Sequence, residues 1–310
     1  MVLAFLPVLI YLAGHVTAAP ASGTRNAVAA CPVLFEGRVA VTTTAADFDK
    51  NTSVYSNLYD LGQNQTWAEV LEFPVAPPSL FDLPTASKSF EVTIEYDFFP
   101  SNALSSGSEP QVGFRRSELV PAIDLSTNGN ARTVQGTTTF HWSIHTDLSR
   151  PLNYSHEYHP IWHEYADYSS SQFTITAGVP FSTAKDPNIM LAKSLRVAGL
   201  QSNTPETTFF KTPFTDSVWH NFALTMGWVD NTITVYYSEG YAPLERVAGP
   251  AFNNNTGGGA FHVGLLKEPT GPPGIDVLHQ GYQESGINEG LIFGGVFIEN
   301  SDDGCVTLGL

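Results

Sequence analysis

Phe90, Val92, Ile94, Tyr96 and Phe98 alternate with Glu91, Thr93, Glu95 and Asp97, and a period of two is what a β-strand with one apolar face requires. This strand is expected to be half-buried. Similar runs lie at 137–146, 172–178, 218–226, 232–237 and 261–266, while 291–298 is apolar on both faces and belongs at a sheet centre. No stretch carries sustained helical spacing. About ten strands separated by long, turn-rich connections predict two stacked antiparallel sheets.

The predicted class is all-β, an antiparallel β-sandwich or β-jelly roll of the concanavalin-like kind. The hairpin formed by 219–224 and 233–237 is of the type common in laminin-G and concanavalin-like sandwiches. No linker, low-complexity run or fixed-period repeat interrupts the chain, so a single domain is expected over 19–310.

Residues 1–18 read as a signal peptide. The apolar run 2–12 is too short to span a bilayer, and Val16-Thr17-Ala18 supplies a small-residue cleavage pattern, although no Lys or Arg precedes it. The protein is therefore expected to be secreted and extracellular, with no membrane partner. Export favours a disulfide between the two cysteines, Cys31 and Cys305. It also makes Asn51, Asn64 and Asn254 glycosylation candidates; Asn153 fits the same pattern but lies where a glycan would obstruct the candidate site. With 14 Lys+Arg against 30 Asp+Glu the formal charge is −16. That field repels nucleic acid and anionic polysaccharides and favours a neutral substrate.

Two segments break the bland strand pattern. In a strand through 114–120, Phe114, Arg116 and Glu118 share one face, and a cation beside a carboxylate keeps it ionised, as a base or nucleophile must be; a structural ion pair is the competing reading. In 153–163, Glu157 lies between His156 and His159 near Tyr158 and Trp162. Ring burial would raise its pKa toward that of a general acid, whereas charged imidazoles would lower it. Spacings of three and four between His156, His159 and His163, broken by Pro160, give no metal site, and no cofactor is expected. His141, Ser143 and His145 form a polar row opposite Phe140, Trp142 and Ile144, fit to line a cleft or merely to be solvated. His220 alternates with Phe222 and Leu224 as a core histidine would. Trp67, Tyr165, Tyr168, Trp228 and Tyr282 are candidate sugar-stacking platforms, of which two are expected to serve.

Phe114-Arg115-Arg116-Ser117-Glu118-Leu119, the 152–158 segment with Trp162 and His163, and Trp219-His220-Asn221-Phe222 together resemble fungal glycoside hydrolase family 131. The likeness runs from Cys31 to the C-terminus. The resemblance implies a β-jelly-roll glucanase of broad specificity toward β-1,3, β-1,6 and β-1,4 glucans of cell walls, with inversion; a monomer acting on neutral polysaccharide or oligosaccharide is expected. It implies Glu118 and Glu157 as the catalytic carboxylates, with Glu157 the acid and Glu118 the base on the environments above. Arg116, His141, His145, His156, Tyr158, Trp162 and His220 would line the cleft. Two other classes stay open. A polysaccharide lyase of the alginate-lyase sandwich type shares the Arg-Ser-Glu-Leu strand but lacks its Tyr-Phe-Lys-Ala-Gly partner here, and a non-catalytic glucan lectin would need no pair of buried glutamates.

Overall fold

Strand β16 (Asn288–Asn300), the long apolar run, sits inside an eight-stranded antiparallel sheet, as its two apolar faces require. In this computed structural model, residues 31–57, 65–95, 111–181 and 192–310 are described. The signal-peptide segment, Asn64 and Tyr96 to Phe98 lie outside them. With strands numbered in chain order, the sheet runs β14 (Glu245–Phe252), β13 (Thr232–Glu239), β12 (His220–Gly227), β7 (Thr137–Thr146), β16, β5 (Phe90–Glu95) and β3 (Leu71–Glu72), and β1 (Val33–Glu36) pairs with β16 beyond β5's reach. The second sheet has six strands, β11 (Thr208–Pro213), β10 (Ser194–Ala198), β9 (Ser171–Gly178), β8 (Glu157–Glu164), β15 (Ala260–Lys267) and β6 (Arg115–Leu119). A small pair, β2 (Val39–Ala40) with β4 (Ser87–Lys88), completes the sixteen strands among the described residues. The sequence pattern found about ten because the rest are short or lack alternation.

The two sheets bury one core between them. Phe140, Trp142 and Ile144 of β7 meet Phe173 and Ile175 of β9 and Phe261, Val263 and Leu265 of β15. The Trp142 ring lies nearly parallel to Phe173 and Phe222, with centroids 6.4 and 5.7 Å away. Each such side chain contributes roughly 1.5–3 kcal/mol by leaving water. Truncating Trp142 to Ala would open a cavity costing on the order of 3–5 kcal/mol.

Two expectations need correction. β5 is buried on its polar face as well as its apolar one: Thr93 donates to the Val70 carbonyl at 3.0 Å, and Glu91 meets Arg150 at 3.1 Å. The row of His141 and Ser143 does not line an open cleft. The outer face of the eight-stranded sheet is covered there by Leu80, Phe81 and Phe297, with the His141 ring stacked on Phe297 at 4.2 Å. The expected hairpin forms, β12 pairing with β13 antiparallel from His220 opposite Glu239 to Gly227 opposite Thr232. Cys31 and Cys305 are disulfide-bonded with Cα atoms 5.7 Å apart, joining the ends of one compact unit, Cys31–Leu310.

Candidate active site

The outer face of the six-stranded sheet carries the candidate residues Glu118 and Glu157. Leu119, Ile161, Tyr158, Phe261 and Val263 point into the core, so alternation turns Arg116, Glu118, His262, Leu266, Glu157, His159, Trp162 and Glu164 outward. A register irregularity in β8 between Tyr158 and Ile161 changes the phase, which is why His159 and Trp162 share a face although they are an odd number of positions, three, apart.

Glu118 lies at one centre. Its carboxylate accepts two hydrogen bonds from Arg116, from Nε at 3.1 Å and from Nη2, and its side chain is fully buried. Across the ladder on β15, His262 Nδ1 stands 3.6 Å from Glu118, and Nε2 stands 3.5 Å from Glu164. The imidazole is held by Trp162, with ring centroids 4.6 Å apart and planes at 15°. Phe114, Leu266 and Val277 pack around that indole.

Glu157 lies at a second centre, at the end of β8. The Phe181 N–H donates to Glu157 Oε2 at 2.6 Å, and His159 Nε2 is 3.4 Å from Oε1. Burial alone would raise this carboxyl, but His159, the Phe181 N–H and the Arg196 guanidinium together hold it below its ordinary value. The ring-burial expectation therefore fails. Tyr158 turns into the core to bond Glu289 at 2.8 Å, and Trp162 stacks on His262, so neither of the two expected rings serves the Glu157 carboxyl. Burial would lower His159, yet the Glu157, Glu268 and Glu206 carboxylates raise it. Glu268 was not singled out from the sequence. Its N–H donates to the Glu157 carbonyl at 2.8 Å, its Oε2 is buried without a hydrogen-bond partner, and burial pushes its carboxyl up to about 7.

Other expected cleft residues lie elsewhere. His141 pairs with Glu299 at 2.8 Å under the opposite sheet, and His145 bonds the Thr146 carbonyl beside Trp219. His220 is fully buried, bonded to the Tyr237 hydroxyl at 2.8 Å and the Thr215 carbonyl, which matches a core histidine rather than a cleft residue. His156 bridges the Glu268 carbonyl and Glu284, each at 2.8 Å, and burial with the nearby Lys267 charge lowers its pKa. Trp67 and Trp228 are core, Tyr165 is half-buried, and Tyr168 and Tyr282 are exposed. Asn51 and Asn153 are exposed and Asn254 is half-buried. His262 was missed because Phe261-His262-Val263 looks like a core strand. Its phase was the available signal, since it is out of step with Phe261, Val263 and Leu265, whereas His220 is in step with Phe222 and Leu224.

A β-sandwich with one sheet face lined by carboxylates, imidazoles and an indole belongs to the architecture of carbohydrate-active jelly rolls. The comparisons specify which: residues 33–304 match the glycoside hydrolase 131 catalytic N-terminal domain, and the chain belongs to that family. It is a glycoside hydrolase catalytic domain. The fold is similar to a GH131 β-glucanase catalytic domain from Podospora anserina (TM-score 0.65, 19% identity, 89% of this chain and 98% of that one). It is likewise similar to the glycoside hydrolase family 131 catalytic domain from Coprinopsis cinerea (TM-score 0.62, 21% identity, 90% and 98%). Among curated protein sequences, none matches this chain.

Proposed function

We propose that this protein is a secreted, monomeric β-glucanase that hydrolyses neutral β-1,3, β-1,6 or β-1,4 glucan on the outer face of the six-stranded sheet, with inversion. The observation that carries the reading is that Glu118 and the Glu157 cluster project from one face, two strands apart. In the β15 ladder Glu118 pairs with Gly264, while the Glu268 N–H bonds the Glu157 carbonyl. The two backbones are thus separated by roughly 10 Å across the sheet and a further 10 Å or so along it. Each carboxylate is drawn to its own partners, Arg116 and His262 in one case and Phe181 and His159 in the other. Backbones this far apart exceed both ranges, so the side chains must converge to bracket a bond, and the roughly 6.5–9.5 Å of inverting enzymes is nearer to this frame than the ~5–5.5 Å of retaining ones.

In this reading Glu118, paired with Arg116, is the base that activates water. The acid end is not Glu157 alone. Glu157, His159 and Glu268 titrate as a cluster, and its proton resides on His159 or Glu268 while Glu157 stays ionised. Proton NMR of the first product anomer from a β-glucan tests the stereochemistry: α first is expected, and β first overturns inversion. Glu118→Gln and Glu157→Gln should each fold and lose orders of magnitude in turnover. Near-native activity in either one would remove it from the site.

A further inference from the structure

Beside His262 the outer face opens into a shallow recess of about 100 Å³, lined by Glu164, Tyr165, Tyr168, Asn128, Ala260 and the imidazole itself. We infer that this recess is a subsite for a glucosyl unit of the substrate chain, with Tyr168 as the ring on which the sugar face stacks and Glu164 as an acceptor for its hydroxyls. The inference rests on the hydrolase reading above and extends it.

The walls are built by close backbone approaches. Gly259 (φ +140°) sits where a Cβ would lie 1.8 Å from the Glu164 carbonyl, and Gly129 (φ +71°) where one would lie 2.8 Å from Ala166. The Gly259 N–H donates to the Gly129 carbonyl at 2.8 Å, tying the turn after α1 (Ala122–Ser126) to the start of β15. Only glycine permits these conformations and contacts together, so the hollow is preformed. Its floor is anchored by buried Asp124, which accepts from Thr133 at 2.7 Å and from the Phe261 N–H at 3.1 Å.

Tyr168 stands at the rim with 63% of its surface exposed and φ +61°, an uncommon backbone state for a bulky residue. An exposed tyrosine on a turn pinned by the Tyr165 carbonyl at 2.9 Å offers an apolar face beside water. Glu164 is a quarter exposed and keeps one edge toward the recess while facing His262. An apolar plate, a carboxylate edge and a neighbouring imidazole suit a neutral hexose with one apolar face and a hydroxylated rim. Ala260, paired with Glu164, lies four residues from Gly264, the partner of Glu118, so the recess is about 13 Å along β15 from Glu118 on the side away from Glu157, a distal sugar site rather than one flanking the reacting bond.

The test uses a ladder of β-linked glucose oligomers and the full-length protein. Tyr168→Ala should raise KM about five- to tenfold for long oligomers, leave the shortest cleaved oligomer unchanged, and leave kcat unchanged; Tyr168→Phe should behave as the parent. Equal kinetics for the parent and Tyr168→Ala at every length overturn the subsite and leave the hydrolase reading intact. A uniform loss at all lengths also overturns it, since the residue would then act on the fold. If the parent neither cleaves these oligomers nor is retarded in gels containing the glucan, the function and its subsite fall together.

Discussion

The guanidinium of Arg116 and the carboxylate of Glu118, two residues apart on one strand, form a two-point ion pair with 9% and 0% of their side chains exposed. A bidentate pair fixes the carboxylate's direction as well as its charge. Removing the cation alone would strand a buried anion.

Arg116→Leu is therefore expected to lower unfolding free energy by about 3–5 kcal/mol, and adding Glu118→Gln to recover part of it. Denaturant titration of the two single variants and the double variant measures the coupling. A cost below about 1 kcal/mol for Arg116→Leu would show the pair to be solvent-screened.

Turnover should fall as pH rises through about 7, because the acid cluster loses its proton there. Glu268→Gln removes a carboxylate that raises His159, so the basic limb of the kcat profile should move to lower pH. A limb that stays in place would exclude Glu268 from the cluster's titration.

Asp124, raised by burial from 3.8 to about 6, should tilt stability with pH. Because its folded pKa lies above its unfolded one, its contribution is full below about pH 4 and is lost as pH rises through 6. Asp124→Asn should flatten unfolding free energy between pH 4 and 7 by up to about 3 kcal/mol. An unchanged slope in urea titrations at those two pH values would reject this.

The Cys31–Cys305 bridge spans 274 residues of sequence, and constraining so long a loop should contribute about 2–5 kcal/mol. The doubly serine-substituted variant should unfold at correspondingly lower denaturant. Coincident midpoints would show that the β1–β16 pairing already holds the ends together.

Local pattern determined much of this protein. Alternation along 137–146 and 261–266 set strands, two apolar faces put 291–298 at a sheet centre, and a spacing of two placed Arg116 beside Glu118. These are properties of one strand, fixed by the pleat. What covers a strand's second face is not: the same polar alternation leaves His141 sealed under Phe81 and Phe297 and leaves Glu118 on the face opposite the core. Nor could a single strand disclose partners from other strands. His262 meets Glu118 and Trp162 only through the order β8-β15-β6, and Glu268 meets Glu157 only through the ladder bond between their backbones. Tertiary structure alone decided those contacts, because cross-strand register joins residues a hundred positions apart, and with them it decided the charge state of Glu157.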